Sequence, residues 1–154
     1  MTACIIETRI IDERIGKEFP LPTYATAGAA GMDLRACLEQ PLCLVAGATH
    51  LVGSGIAISI RDVGYMAMLA PRSGLGVKHG IVLANTVGII DSDYQNEIRV
   101  ALHNRSTTDY TVQPGERICQ LVIVPVVQAT LKVVETFGAE TARGLAGFGS
   151  TGQQ

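Results

Sequence analysis

Residues 88–97 read Gly-Ile-Ile-Asp-Ser-Asp-Tyr-Gln-Asn-Glu, and they contain the change from strand to turn on which the fold prediction rests. The apolar start favours a buried strand, and the polar remainder favours a turn. We therefore predict one limb and the tip of a β-hairpin here. Asp91 and Tyr94 would stand where the limb emerges, and this makes them the first candidates for chemistry. A solvated turn with one stacked aromatic ring is the alternative.

The composition bounds the class of protein. A chain of 154 residues fits one domain and is long enough to bury a core. With 47% hydrophobic and 17% charged residues it is not disordered, and its apolar runs are too short to span a membrane. A net charge of -2 disfavours binding to long nucleic acids, although a local cluster of charges can hold one nucleotide. We expect neither a nucleic-acid partner nor a membrane partner.

The N-terminus and the cysteines indicate a reducing compartment. Residues 1–11 include Glu7 and Arg9 and lack the basic start and apolar core of a secretory signal, so we expect a cytoplasmic protein. The four cysteines are irregularly spaced without a Cys-x-x-Cys pair, which argues against a zinc site and favours apolar packing roles. The histidines lack ligand partners at useful spacing, so we expect no transition-metal site.

Short apolar runs separated by turn residues predict an all-β protein. Predicted strands include residues 4–11, 32–36, 50–61, 65–69, 117–127 and 131–135. In residues 32–36, alternation places Asp33 on one face and Leu34 on the other. The run 117–127 is apolar enough to be buried on both faces, and Pro125 would end it. The fold class is a distorted jelly roll or β-barrel of about ten short strands, with one short helical turn and a flexible C-terminal tail.

Residues 71–81, Pro-Arg-Ser-Gly-Leu-Gly-Val-Lys-His-Gly-Ile, are a candidate phosphate site. Ser73 is predicted to cap one helical turn, which would present free backbone N–H groups beside Arg72. A proline-terminated loop with an incidental arginine is the alternative. Gln120 is the polar exception in an apolar run, so its amide either satisfies a backbone group or faces a ligand, and both remain open.

From residue 139 onward the chain cannot build a core. Its glycines, hydroxyls and Arg143 resemble a phosphate-cradling loop, without the Gly-Lys-Ser/Thr ending of a P-loop. We interpret residues 139–154 as a mobile arm. Phe148, a lone aromatic residue among glycines, suggests a lid that stacks on a flat group, whereas an ordinary frayed terminus is the alternative.

Five segments together resemble, in order and spacing, the five motifs of the trimeric deoxyuridine triphosphatase (dUTPase) family. They are residues 27–36, 71–81, 85–97, 115–121 and 143–152. Pro-Arg-Ser-Gly-Leu, Gly-Ile-Ile-Asp-Ser-Asp-Tyr, Gly-Glu-Arg-Ile-Cys-Gln-Leu and Gly-Phe-Gly-Ser-Thr-Gly are specific in combination. The resemblance implies one dUTPase-like domain over residues 1–154, a jelly-roll fold, and a homotrimer with shared active sites. The arm would close over the site of a neighbouring subunit.

The implied reaction is the hydrolysis of dUTP to dUMP and pyrophosphate with Mg²⁺, which limits uracil in DNA and supplies a thymidylate precursor. The resemblance makes Asp91 the base that directs a water in line at the α-phosphorus. Asp33 would order the water shell of the magnesium ion without binding the ion directly.

The resemblance also assigns substrate contacts. Tyr94 would lie against the deoxyribose and leave no room for a 2'-hydroxyl, while Asn85 would pair with the uracil edge. Backbone groups would complete that pairing, and they belong to Ile89, Ile90 and Arg99. The phosphates would be held from a neighbouring subunit by Arg72, Ser73 and Gly74, with a further contact from Gln120. In the arm, Phe148 would stack on uracil, and the terminal phosphates would be held by Arg143, Gly149, Ser150 and Thr151.

Three departures and two rival classes bear on this interpretation. Ala146 stands where many members have glycine, and Cys119 replaces a usual alanine. Asn96 stands where glycine is common at the hairpin tip, and asparagine tolerates left-handed backbone better than most residues. The dCTP deaminases share the implied fold, but they need a glutamate near the base. A non-enzymatic jelly-roll binding protein would need no aspartate at position 91.

Overall fold

The computed structural model describes residues 4–139, Thr141 and Gly144, and in this part of the chain the protein folds as ten β-strands and one short helix. The strands are β1 (Glu7–Ile10), β2 (Met32–Arg35), β3 (Leu42–Leu44), β4 (Thr49–Ser59), β5 (Tyr65–Pro71), β6 (Ile81–Leu83), β7 (Gly88–Ile90), β8 (Glu97–Asn104), β9 (Tyr110–Val112) and β10 (Arg117–Pro125). The helix is α1 (Ser73–Lys78). The predicted all-β class is confirmed. Among these residues, no helix has the length and apolar character to cross a membrane.

Two four-stranded antiparallel sheets face each other in a jelly roll. The first sheet has the order β1-β4-β8-β6 and the second the order β2-β10-β5-β7. A two-stranded sheet, β3-β9, accompanies them. Residues from all three sheets contribute to one buried core. The jelly roll therefore encloses its core between the two larger sheets.

Alternation along the strands decides which side chains enter the core. In β8, every second side chain is buried, and Ile98, Val100 and Leu102 are at most 1% exposed. In β2, Leu34 is buried while Asp33 on the opposite face stays partly exposed, as the sequence predicts. This pattern is what period-2 side-chain geometry requires of a sheet with one buried face.

The second sheet also presents apolar side chains away from the core. We call this surface the outer apolar face, and it consists of Met66, Met68, Ile89, Val122 and Val124. The expectation that the run 117–127 is buried on both faces is therefore wrong for one chain by itself. Leu121 is buried, whereas Val122 and Val124 on the other face are only partly covered.

The predicted hairpin is also wrong in its pairing. β7 pairs with β5 in the second sheet, and β8 pairs with β4 and β6 in the first. Residues 91–96 therefore carry the chain from one sheet to the other. Turn residues indicate where a chain reverses, but they do not determine which strands its two limbs join.

The predicted strand at residues 131–135 is absent. All five of these residues are described by the structure, and they form no strand. Leu131 and Val133 are more than 90% exposed. A strand requires a neighbour for its backbone N–H and C=O groups, and this segment pairs with none of the described strands.

A buried amide closes the end of β8. Asn104 is fully buried, and its Nδ2 donates to the carbonyl oxygens of Leu44 at 2.9 Å and Thr108 at 2.8 Å. Its Oδ1 accepts from the backbone N–H of Ser106 at 3.0 Å and from the Ser106 hydroxyl at 2.7 Å. The side chain thus makes four hydrogen bonds, and it fixes residues 105–108 against β3.

Replacement of this amide tests its structural role. Asn104→Ala is expected to lower the free energy of unfolding by about 3 kcal/mol, because buried polar groups of the loop lose their partners. Urea unfolding followed by circular dichroism measures the loss. Gln128→Ala, at an exposed amide, is the matched control and should change stability by less than about 0.5 kcal/mol. Equal effects of the two substitutions would contradict the assigned role.

Candidate active site

A cavity of about 220 Å³ lies between the ends of the two sheets. It is lined by Leu51, Leu69, Leu83, Asn85, Gly88, Ile89, Ile90, Arg99, Val100 and Ala101. We call it the cleft. It is smaller than a typical site for a drug-sized ligand, so its dimensions suit one flat ring better than a whole nucleotide. The cleft brings together the four residues that the sequence predicts to pair with the edge of the base, which are Asn85, Ile89, Ile90 and Arg99.

Gly88 lines the cleft and packs closely against the neighbouring strand. A Cβ atom at this position would stand 3.0 Å from the Cβ of Leu69 on the neighbouring strand. On the opposite wall, Arg99 pairs with Gly53 of β4. The cleft is therefore walled by strand backbone from both sheets, and strand backbone is more rigid than loop backbone.

A strained turn holds Asn85 at the cleft. Thr86 has a φ of 63°, in the left-handed region that β-branched residues rarely adopt. Asn85 carbonyl oxygen accepts the Val87 N–H at 2.7 Å and the Thr86 hydroxyl at 2.6 Å. The Thr86 N–H in turn donates to Leu83 at 3.0 Å. Backbone of this kind persists only where its surroundings hold it, and such positions concentrate at functional sites.

The connection that follows β7 carries Asp91 and Tyr94. Asp91 comes directly after Ile90, which lines the cleft, and Asp91 is exposed. The Tyr94 N–H donates to the Asp91 carbonyl at 3.1 Å, and the Tyr94 hydroxyl donates to the Glu97 carbonyl at 3.0 Å. The loop is thus tied at both ends.

Asn96 does not adopt the left-handed backbone expected of a glycine replacement. Among the non-glycine residues described, positive φ occurs at Arg61 and Thr86. Asn96 instead uses its Oδ1 to accept the backbone N–H of Glu97 at 2.8 Å. The asparagine therefore acts through its side chain at this position.

Asp33 joins two arginines, and we call these three residues the Asp33–arginine cluster. The Arg72 Nε donates to one carboxylate oxygen of Asp33 at 2.8 Å, and an Arg117 terminal nitrogen donates to the other at 3.1 Å. Asp33 and Arg72 are each about one-fifth exposed, whereas Arg117 is about half exposed. The cluster carries a net charge of +1 and suits a polyanion. The sequence reasoning missed Arg117, although the Gly-Glu-Arg run that precedes Gln120 was a signal for it.

Helix α1 begins beside this cluster, with a different cap from the one predicted. Arg72 occupies the cap position in extended backbone, and Ser73 is the first helical residue. Arg72 forms no side-chain capping bond with the described residues, so the expectation that Ser73 caps the turn is wrong. The sequence favoured the hydroxyl because Ser is a strong capping residue, but the helix starts one position earlier. The surroundings of Gly74 are open, which leaves room beside the helix start.

Gln120 is exposed, which corrects the premise that its amide is buried. It lies directly across from Asp33 on β2 and from Ala70 on β5. Cross-strand partners share a face of the sheet, so Gln120 and Asp33 lie on the same side. The neighbouring Cys119 points into the core, where burial, with a smaller contribution from Asp33, raises the pKa of its thiol to about 12. Cys119 is therefore a neutral packing group, as the sequence predicts.

The cleft and the Asp33–arginine cluster occupy different parts of one chain. The order β2-β10-β5-β7 places Asp33 three strands from the β7 wall of the cleft, about 14 Å across the sheet. One chain therefore holds two partial sites and does not join them. The remaining predicted contacts lie outside the described residues, and these are Arg143, Phe148, Gly149, Ser150 and Thr151.

Taken together, the fold and the two partial sites define a class of jelly-roll protein. Its members have a ring-sized cleft, an exposed aspartate directly after one of the cleft strands, and a separate cationic cluster. Proteins built in this way can recognise a ligand with a flat neutral end and a polyanionic end.

Comparisons with known proteins place the chain within this class. The dUTPase family profile matches residues 17–152. The deoxyuridine 5'-triphosphate nucleotidohydrolase of Idiomarina loihiensis is 59% identical over 148 residues, which are 96% of this chain and 97% of that protein. The protein of the same name from an Escherichia coli strain is 57% identical over 149 residues, 97% of this chain and 98% of that protein. The chain belongs to the dUTPase family.

A solved structure supports the same assignment. The dUTPase of Staphylococcus bacteriophage 80alpha, solved as a variant with dUpNHpp, superposes with a TM-score of 0.84 at 25% identity. The match covers 97% of this chain and 99% of that one. The jelly-roll prediction is confirmed, and membership of the dUTPase family favours dUTP hydrolysis over the two rival classes.

Proposed function

We propose that this protein hydrolyses dUTP to dUMP and pyrophosphate, and thereby limits uracil in DNA and supplies dUMP for thymidylate synthesis. The observation that carries the proposal is the cleft, which brings Asn85 together with backbone of β7 and β8 beside the Asp91 loop. Relatives that share more than half of their residues with this chain carry the name of that activity.

Recognition of the base is assigned to the cleft. Asn85 offers both a donor and an acceptor, and the backbone of Ile89, Ile90 and Arg99 offers further fixed groups. Uracil would satisfy these groups through its ring N–H and carbonyl oxygens. A cytosine would turn an amino group toward a donor and leave buried polar groups unpaired, which discriminates strongly. The Tyr94 ring would contact the deoxyribose and exclude a 2'-hydroxyl.

The chemical step is assigned to Asp91. Its carboxylate would accept a proton from a water as the water oxygen attacks the α-phosphorus in line. The bond from the α-phosphorus to the bridging oxygen breaks, and pyrophosphate leaves with the electron pair. Because a carboxylate is a weak base, positioning must supply much of the acceleration. The hydrogen bond from Tyr94 to the Asp91 carbonyl contributes to that positioning.

The phosphates are assigned to the Asp33–arginine cluster, the helix start at Ser73 and Gly74, and Gln120. The guanidinium of Arg72 is held by Asp33, so it is preorganised for an anion. The arm residues Arg143, Gly149, Ser150 and Thr151 would hold the terminal phosphates, with Phe148 stacked on the base, as the family resemblance implies.

Magnesium is the proposed cofactor, and the donors present fit it. Carboxylate oxygen is the donor type that magnesium prefers, and both oxygens of Asp33 already accept arginine N–H groups. Contact with Asp33 through the ion's own water shell therefore suits this site. When bound, the ion would supply positive charge to the triphosphate and the leaving pyrophosphate. A dUTPase of phage phi11 of S. aureus, 22% identical with a TM-score of 0.76 over 88% of this chain and 99% of that one, is described as coordinating a structural Mg(II) ion.

The proposed assembly is a homotrimer with shared active sites. The outer apolar face and the exposed residues Val127, Leu131, Val133 and Phe137 provide the apolar area that an interface between copies requires. In a closed ring, the cluster of one chain can complete the cleft of the next. We further propose a cytoplasmic location, in keeping with the free cysteines at positions 4, 37, 43 and 119.

A panel of nucleotides tests the proposed function. We expect pyrophosphate release from dUTP, with far less from dCTP, dTTP and UTP, and loss of the reaction when a chelator removes magnesium. The measurement is pyrophosphate formation on all four nucleotides in parallel, with magnesium and with chelator. Ammonia release from dCTP would place the protein with the deaminases. No reaction on any of the four would favour a nucleotide-binding protein.

Asp91→Asn tests the proposed base. The amide keeps the size of the carboxylate but cannot accept the proton, so turnover should fall by roughly two or more orders of magnitude. Affinity for dUTP, measured by calorimetry, should be largely retained. Unchanged turnover would remove Asp91 from the mechanism.

Mixing two inactive variants tests whether sites are shared. Asp91→Asn removes the base, and Arg72→Ala removes the phosphate contact. If one chain supplies Asp91 and another supplies Arg72, equal mixing with subunit exchange should restore roughly a quarter of the sites in a closed ring. Differently tagged chains establish that exchange has occurred. If activity does not return despite exchange, the two residues act within one chain.

A further inference from the structure

Glu97, the first residue of β8, is a charged side chain that the proposed mechanism does not use. Its Oε1 accepts the backbone N–H of Gly55 in β4 at 3.0 Å, in a partly buried setting. The β4–β8 register shifts at this point, since Arg99 pairs with Gly53 and Glu97 pairs with Ala57. Two steps along β8 therefore match four along β4. The extra residues bulge, and the carboxylate fills the bulge.

The glycines of β4 are suited to this carboxylate. Gly55 has a φ of 73°, which a side chain would strain. Gly53 must lack a side chain because a Cβ there would stand 2.5 Å from Oε1 of Glu97. Strand β4 thus leaves space for the Glu97 carboxylate and donates a hydrogen bond to it from Gly55.

The backbone of Glu97 is bonded to the catalytic loop. Its carbonyl accepts the Tyr94 hydroxyl at 3.0 Å, and its N–H donates to the Asn96 side chain at 2.8 Å. Tyr94 in turn donates its N–H to the Asp91 carbonyl at 3.1 Å. A continuous chain of hydrogen bonds therefore runs from the β4 bulge through Glu97 and Tyr94 to Asp91.

We propose that Glu97 is a positioning residue that sets discrimination between deoxyribose and ribose. Its carboxylate anchors the start of β8 to the β4 bulge, and the anchored backbone fixes the Tyr94 ring through the hydroxyl bond. Without the anchor, the ring gains freedom to move away from the sugar and leaves room for a 2'-hydroxyl. The inference rests on the proposed function, in which Tyr94 excludes that hydroxyl.

The first test compares Glu97→Ala with Glu97→Gln. The ratio of kcat/KM for dUTP to that for UTP should fall by about tenfold in Glu97→Ala, because the ring position is lost. Glu97→Gln keeps an acceptor oxygen for the Gly55 N–H and should stay close to wild type. Amide hydrogen exchange of the nucleotide-free proteins should be faster at Gly55 and Tyr94 in the alanine variant alone.

A second variant reaches the same contact from the other strand. Gly53→Ala displaces the Glu97 carboxylate and leaves it in the chain, so the dUTP-to-UTP ratio should fall as it does in Glu97→Ala. The double variant should discriminate no worse than Glu97→Ala by itself, because the clash disappears with the carboxylate. Additive losses in the double variant would overturn the shared mechanism. This variant also supplies the test if Glu97→Ala does not fold.

The outcomes distinguish a failure of the proposed dUTP hydrolysis from a failure of the proposed role of Glu97. A wild-type protein that does not hydrolyse dUTP would overturn the proposed function and with it the specificity role, before any variant is compared. With an active wild type, unchanged hydrogen exchange in Glu97→Ala would overturn the anchoring. Faster exchange with an unchanged dUTP-to-UTP ratio would leave Glu97 a structural residue and overturn the proposal.

Discussion

The cleft depends on the placement of β7 and β8 in opposite sheets. Had these strands paired as a hairpin, their backbone N–H and C=O groups would bond to each other. Instead β7 lies at the edge of its sheet, bonded on one side to β5. The pairing of β8 with β6 covers Ala101 to Asn104 and does not extend to Arg99. Both walls therefore present strand backbone to the space between them, and that backbone can recognise a ring.

An edge that faces a cleft needs protection from unwanted pairing. Exposed strand edges attract other strands, and short edge strands limit this risk. β7 has three residues, and the strained turn at Thr86 precedes it. The turn at Thr86 that precedes β7 also holds Asn85 beside this strand. Recognition by fixed backbone groups discriminates well, because a base with the opposite donor pattern leaves buried groups unpaired.

Much of the fold and part of the site could be predicted from the sequence. Alternation in residues 32–36 assigned Asp33 and Leu34 to opposite faces, and Pro125 marked the end of β10. The β7–β8 pairing could not be predicted, because local turn residues do not specify which sheet a strand joins. The pairing of Arg117 with Asp33 joins residues 84 positions apart, and the bond from Gly55 to Glu97 spans 42. Long-range contacts of this kind have no local pattern.

The two partial sites explain why assembly would matter to this fold. The cleft opens between the sheets, whereas Gln120 lies on β10, beside the outer apolar face. The Asp33–arginine cluster lies next to Gln120, with Asp33 on β2, Arg117 on β10 and Arg72 at the start of α1. A ligand with a neutral ring and a polyanionic tail needs both. In the proposed homotrimer, burial of the outer apolar face would bring the cluster of one chain toward the cleft of another. Closed symmetry would then repeat this contact until every cleft has a cluster, so that the same apolar contacts would stabilise the assembly and complete its sites.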